Sequence, residues 1–366
     1  PFEDRVQIRY RIDGVLYDME SVPKKVQDAV ISRVKVMGKM DIAERRIPQD
    51  GRSTIKIGDA EVDVRISTVP TNLGERIVMR LLDKTTNVYA MDEIGLSEDH
   101  LESVRRIAHL SHGIIFVTGP TGSGKTTTLY AVLSEIDSKE KNVITIEDPI
   151  EYHIGGISQI QVSEKKGLTF AAGLRSLLRQ DPDVMMIGEV RDEETARIAI
   201  QAALTGHLVF STLHTNDSAG AVSRMLDIGV EPYLVASSLI AVIAQRLIRV
   251  ICPECRVGGA PTQEDLKLMR ELKLDPDEMP EGKLYKGMGC ENCFDTGYTG
   301  RTAIYEVLNL DEDIRSLCVD RASATVIKRT ALQKGLVSLR GDGIRKVKMG
   351  QSTIQEVLRV TQMDIE

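Results

Sequence analysis

The chain has 366 residues, 42 % of them hydrophobic, which is enough apolar material for packed interiors in two or three domains. Its formal net charge is −7 and its pI about 5.6, which argues against a protein held mainly by nucleic-acid phosphates, although 47 Lys and Arg leave room for local basic patches. With no Trp and only 4 % aromatic residues, a broad stacking surface for single strands is disfavoured, and no apolar run reaches bilayer length.

The chain opens on Pro1-Phe-Glu-Asp with no secretory signal, and reads as a fragment lacking an N-terminal region. Residues 1–90 are expected to form a small α+β domain. Val6–Ile12 alternates with period two, Asp13-Gly14 is a turn signal, and Val15-Leu-Tyr resumes a strand, so a hairpin is predicted. A helix follows over about Pro23–Lys39. Thr54–Ile57, the turn Gly58-Asp59, Glu61–Ser67 and Arg76–Leu82 read as further strands. A linker is expected from 85, and residues 91–104 carry it into the next domain, with a helix starting near Ser97.

Over 105–250 apolar strands alternate with helices, the pattern of a parallel α/β sheet. The predicted strands are Ile114–Thr118, Val143–Ile146, Val184–Ile187 and Leu208–Thr212. Directly after the first of these comes Gly119-Pro-Thr-Gly-Ser-Gly-Lys125-Thr126, which meets every fixed position of the phosphate-binding P-loop, G-x-x-x-x-G-K-[ST]. Strand, glycine turn and helix N-terminus is the context that motif needs. The glycines let successive backbone N–H groups face phosphate oxygens, and the helix end favours negative charge. Lys125 is expected to reach the β- and γ-phosphates and the Thr126 hydroxyl to hold Mg²⁺.

The second strand runs into Glu147-Asp148-Pro-Ile-Glu151-Tyr152, three carboxylates at the sheet edge where open α/β folds bind ligands. Taken alone, this is also a common strand-ending acidic turn. The third strand runs into Gly188-Glu189-Val-Arg191-Asp192. A carboxylate there faces the γ-phosphate across the sheet, where it orients or activates water, so Glu189 is the candidate. His207 and His214 bracket the fourth strand. A shared metal is disfavoured by their spacing, which leaves a γ-phosphate sensor or packed structural histidines. The apolar run Tyr233–Ala244 reads as a buried helix.

Cys252-Pro-Glu-Cys255 and Cys290-Glu-Asn-Cys293 form a C-x-x-C…C-x-x-C set suited to tetrahedral Zn²⁺, with disulfides or redox chemistry as alternatives. They define a subdomain over 251–300. Its charged helix, near Gln263–Leu274, has few apolar residues to hold it down. Cys318 is unpaired and reads as a buried apolar residue. Residues 301–366 read as a helical C-terminal region.

Together these motifs resemble the secretion ATPase superfamily, specifically the GspE/PilB-type assembly motors of type II secretion and type IV pili, truncated at the N-terminus. Ile144–Tyr152 is similar to the family's Asp box, Gly188–Asp192 to its Walker B motif, and Thr205–Asn216 to its His box. The resemblance implies a RecA-like P-loop ATPase domain, preceded by a small PAS-like α+β domain called N2 and carrying a zinc-binding insertion and a helical tail. It implies a homo-hexameric ring that hydrolyses ATP with Mg²⁺, binds Zn²⁺, and docks on an inner-membrane platform protein at the cytoplasmic face, with no nucleic-acid partner. Type II secretion is favoured over pilus extension, and a nucleic-acid motor is the rival of another class. Catalytic roles fall to Lys125, Glu189, Glu147, Glu151 and His214, with Arg65 and Arg80 of the N2 domain. The nucleotide is held by Gly119, Thr121, Gly122, Ser123, Gly124, Lys125, Thr126, Thr127 and His207. Zinc is held by Cys252, Cys255, Cys290 and Cys293.

Overall fold

A computed structural model describes residues 1–58, 60–83, 88–272 and 274–361 of the chain. The chain divides into two compact units, Pro1–Asn87 and Val88–Glu366.

In the first unit, β1 (Arg5–Ile12) and β2 (Val15–Pro23) form the expected antiparallel hairpin. Asp13 and Gly14 both take positive φ (49° and 85°), the geometry of a two-residue hairpin turn. Helix α1 (Gln27–Met37) follows, then a three-stranded antiparallel sheet of β3 (Gln49–Ile57), β4 (Ala60–Thr71) and β5 (Gly74–Asp83). Val64 and Ile66 bury one face of β4. Lys35 of α1 reaches Glu75 of β5 at 2.5 Å, a buried ion pair that ties the helix to the sheet. Asp59 of the predicted Gly58-Asp59 turn and residues 85–87, the start of the predicted linker, lie outside the described residues.

The second unit is built on one seven-stranded sheet. Its elements are α2 (Glu98–Ala108), β6 (Gly113–Thr118), α3 (Lys125–Ser134), β7 (Val143–Glu147), β8 (Ser158–Gln161), α4 (Phe170–Leu177), β9 (Val184–Ile187), α5 (Glu193–Leu204), β10 (Leu208–Leu213), α6 (Ser218–Asp227), α7 (Pro232–Ser238) and β11 (Leu239–Ile251). After these come β12 (Arg256–Gly259), α8 (Gln263–Glu271), β13 (Leu284–Gly287), β14 (Tyr298–Asn309), α9 (Glu312–Val319), α10 (Ala324–Gln333), α11 (Leu339–Lys348) and α12 (Ile354–Thr361). The sheet order is β14-β11-β6-β10-β9-β7-β8, parallel throughout except for the β11–β14 pair. Helices cover both faces. Ile114 and Phe116 of β6 pack with residues of α4 to α7, while Ile115 and Val117 pack with α2 and α3. Burial on both faces explains why these strands read as unbroken apolar runs rather than alternating ones.

Four expectations are corrected. The run Tyr233–Ala244 is not one helix: α7 stops at Ser238 and Leu239 opens β11. That strand lies between β6 and β14 with both faces covered, so its pattern carries no period that separates strand from buried helix. The region 301–366 is not helical from its start, because 301–309 belong to β14, the edge strand beside β11. The stretch from 91 does not span as a linker: Met91, Ile94 and Leu96 are buried in the same core as Val117 and Leu133. The insertion between the cysteine pairs does have a core. Met269, Leu272, Leu274 and Met279 pack with Val347, Ile354 and Val357 of α11 and α12. No helix among the described residues is long and apolar enough to cross a membrane.

Candidate active site and metal centre

Parallel pairing places the C-terminal ends of β6, β10, β9 and β7 at one edge of the sheet. Gly119–Gly124 turns there from β6 into α3. Gly119, Gly122 and Gly124 all have positive φ. A Cβ on Gly119 would stand 2.5 Å from the Gln245 carbonyl, and Gly124 has φ +89°, which L side chains rarely adopt, so both positions favour glycine. The first turn of α3 has no side-chain cap and no acid, which leaves its N–H groups for an anion. Thr121 and Gly122 are exposed at the loop tip, Lys125 is buried, and Thr126 and Thr127 are half-buried in the first helical turn. The Ser123 hydroxyl is buried with no partner among the described residues. That orphaned donor, the glycine cradle and the uncapped helix fit a bound phosphate chain.

Lys125 Nζ meanwhile donates to the carbonyls of Gly119 (2.8 Å) and Pro120 (3.1 Å). Burial pushes its pKa down, and the nearby Glu189 carboxylate opposes that shift. Glu189 follows β9 with its side chain 13 % exposed, 2.7 Å from Arg191 Nε and 3.4 Å from His214 Nε2. His214 follows β10, so the Walker B and His box motifs meet at one carboxylate. His207 precedes β10, at the opposite edge of the sheet, where its Nδ1 lies 3.0 Å from the Ala202 carbonyl. Within one chain the structure does not bring His207 to the P-loop.

The Asp box carboxylates differ in setting. Glu147 is buried at the end of β7. It accepts hydrogen bonds from the Tyr130 hydroxyl, from Thr145 Oγ1 (2.6 Å) and from Gln159 Nε2 (3.0 Å). Glu151 is exposed, and its backbone N–H donates to the Tyr130 oxygen at 3.4 Å. Tyr130 lies on α3, about one turn beyond Thr126, so one hydroxyl joins the P-loop helix to the Asp box. Burial and the Glu147 carboxylate both raise its pKa well above the usual tyrosine value. We expect Tyr130→Phe to keep the edge-on packing against Tyr152 (4.7 Å between ring centres) but lower stability by about 1–3 kcal/mol, because Glu147 loses a donor in a buried place. Thermal unfolding and ATP turnover measured together check this. Unchanged values of both would show that the hydroxyl holds nothing.

Sequence reasoning missed Tyr130 and Gln159, and also Gln245 and Arg246 of β11. Gln245 accepts a hydrogen bond from Thr128 Oγ1 (2.8 Å), and Arg246 donates to the Asn216 carbonyl (2.7 Å). The only available signal for them was nearness to β6, which the misread helix concealed. In the first unit, Arg52, Arg65 and Arg80 occupy one rung across β3, β4 and β5. Arg52 is the member of this rung that sequence reasoning missed.

The four cysteines converge. Their sulfurs stand 3.8 Å (Cys252–Cys290), 3.9 Å (Cys255–Cys293) and 3.7 Å (Cys290–Cys293) apart, and all four lie within 4.8 Å of one another. Four thiolates about 2.3 Å from a zinc ion are about 3.8 Å apart, so the set fits a tetrahedral S₄ shell. No pair is bonded as a disulfide. The N–H groups of Cys290 and Gly297 each donate to Cys293 Sγ at 3.3 Å, an arrangement suited to a thiolate.

Comparison with known proteins bears on the family and the fold. Residues 1–359 match the family described as Type II/IV secretion system protein. The chain is similar to Type II secretion system protein E of Aeromonas hydrophila, with 50 % identity over 99 % of this chain and 71 % of that protein. It is similar to Type IV pilus assembly ATPase PilB of Thermus thermophilus, with 49 % identity over 99 % of this chain and 40 % of that protein. Among solved structures, the ATPase DotB of Yersinia pseudotuberculosis shares the fold, with a TM-score of 0.70 at 21 % identity, covering 98 % of this chain and 88 % of that one.

Proposed function

Because this chain belongs to the Type II/IV secretion system protein family, we propose that it hydrolyses ATP to drive assembly of a type II secretion pseudopilus. It is a secretion ATPase of the kind shared by type II protein E and pilus PilB. The observation that carries the catalytic reading is the meeting of the P-loop, Glu189 and His214 at one sheet edge. Similarity to type II protein E over most of its length favours secretion. Extension of a type IV pilus is the second reading, supported by 49 % identity to PilB.

The proposed reaction is attack of water on the γ-phosphate. Bound Mg²⁺ would neutralise phosphate charge. The chain's own residues do the rest. The cradle 119–124 and Thr127 orient the phosphates, Lys125 leaves the Gly119 and Pro120 carbonyls for phosphate oxygens, and Thr126 offers its hydroxyl to the metal. Glu189 takes up the water's proton, and His214 holds that carboxylate in place. Glu147 acts through Tyr130 as an anchor, and Glu151, exposed in the same motif, is proposed as a second carboxylate of the hydrolytic site. Arg65 and Arg80 are proposed to contribute phosphate-binding guanidinium forks. His207, at the far edge of the sheet, is proposed to act on a neighbouring subunit of a homo-hexamer. Docking on an inner-membrane platform protein would place the motor at the cytoplasmic face. The four cysteines are proposed to hold one structural Zn²⁺.

Phosphate release from Mg-ATP tests the reading. We expect Lys125→Ala to abolish binding and turnover together, and Arg65→Ala or Arg80→Ala to lower turnover by about 10³-fold in the intact assembly. Single-stranded DNA should leave the rate unchanged. A wild-type rate in Lys125→Ala would end the proposal, and DNA-stimulated hydrolysis would favour a nucleic-acid motor instead.

A further inference from the structure

Resting on that catalytic reading, we propose that Lys328, far along the chain in α10, is a positioning residue of the hydrolytic site: it fixes the His214–Asp217 loop and, through it, the histidine on Glu189.

The loop is held at each of its four residues by a different element. His214 Nε2 lies 3.4 Å from Glu189, beyond β9. Thr215 N–H donates to Thr118 Oγ1 at 2.9 Å, one residue before the P-loop, and the two hydroxyls pair at 2.7 Å. The Asn216 carbonyl accepts from Arg246 of β11 at 2.7 Å. Asp217 Oδ2 accepts from Lys328 Nζ at 3.1 Å. The first three anchors belong to the sheet edge where the phosphates would bind. The fourth alone comes from the helical C-terminal region.

Lys328 is buried, and it faces a second carboxylate, Glu306 of β14, at 3.5 Å. Glu306 is fully buried and sits at two helix starts. It accepts from the Ser218 N–H (3.1 Å) and hydroxyl at α6, and from the Leu339 N–H (3.3 Å) at α11. Asp217 divides its work: Oδ1 caps α6 through the Gly220 N–H (2.8 Å), while Oδ2 takes the lysine. A buried charge network of this kind is weak evidence for stability, because apolar side chains of similar volume often do as well. What it specifies is position. Without the ammonium, Asp217 and Glu306 would face each other as uncompensated charges beside one loop. That repulsion would be relieved by moving the loop, which carries His214.

The test compares wild type, Lys328→Met, Lys328→Arg and Asp217→Asn. The last keeps the cap through its remaining oxygen but loses the ion pair. We expect Lys328→Met to lower kcat by at least about tenfold, since small misplacements remote from the chemistry cost about that much or more. KM for ATP and affinity for ADP should stay within about twofold, the sign of an interaction lost from the transition state only. Lys328→Arg should recover most of the loss, and Asp217→Asn should fall in the same direction as Lys328→Met. Amide exchange at 214–218 should quicken in Lys328→Met. Folded Lys328→Met with wild-type kcat would overturn the proposal, and so would a matched rise in KM. If Lys328→Met does not fold, kcat of Asp217→Asn decides by the same criteria. If wild type hydrolyses no ATP, the catalytic reading fails, and the exchange rates at 214–218 alone decide whether Lys328 fixes the loop.

Discussion

Glu189→Gln should bind ATP as the wild type does and turn it over about 10²–10⁴-fold more slowly, the range of a lost general base. The substitution exchanges one carboxylate oxygen for an amide and leaves the shape. Packing at the end of β9 should therefore survive, as should the hydrogen bond that the Gly188 N–H donates to the Ile146 carbonyl. What disappears is the basic oxygen that His214 and Arg191 hold in place. The Arg191 pair contributes little to stability, since that guanidinium is largely exposed and screened. Nucleotide affinity and single-turnover phosphate release, measured on the same preparation, separate binding from chemistry. A Glu189→Gln protein hydrolysing within about twofold of wild type would remove Glu189 from the role of base.

Changing any one of Cys252, Cys255, Cys290 or Cys293 to Ser should lose the metal, which elemental analysis should otherwise find at about one Zn²⁺ per chain. The shell is closed, so the loss is structural. Metal binding to such sites is folding free energy, and its removal should lower Tm by at least about 5 °C. The damage should be local. Met269 of α8 and Leu272 just beyond it pack against Val347, Ile354 and Val357, so the helix keeps an anchor when the cysteine turns loosen. ATP affinity at the P-loop should change little. Stoichiometric zinc retained by a Cys290→Ser variant would refute the S₄ assignment, as would a Cys252–Cys255 disulfide in reducing buffer.

The legible parts of this molecule were those with short-range grammar. β9 spans the predicted Val184–Ile187, because four apolar residues stand between an Asp-Pro-Asp turn and a glycine. The P-loop and each C-x-x-C turn are likewise fixed local spacings, although the four-sulfur set joins two such turns 38 residues apart. What stayed hidden depends on distance along the chain. The core of the cysteine insertion is completed by residues about as far away as Val357, and no local pattern announces such a partner. Tyr130 and Glu147 meet because a helix lies over the end of a strand, and neither residue's neighbourhood encodes that crossing. β11 was misread because strand and buried helix look alike when both faces are covered. That one error concealed Gln245 and Arg246, and with them the strand that lies against the P-loop.

The antiparallel return of β14 along β11 has an architectural meaning. Arg249 pairs with Arg301 and Ile251 with Tyr298, and the Cys252 N–H donates to the Gly297 carbonyl at 3.0 Å. The segment between them thus leaves and re-enters the sheet at neighbouring points, like the loop of a very long hairpin. The register of the two strands is fixed by their own pairing up to those points. The sheet holds the metal-bearing module at one point and α11 and α12 hold it at another, while the strand beside the P-loop keeps its place.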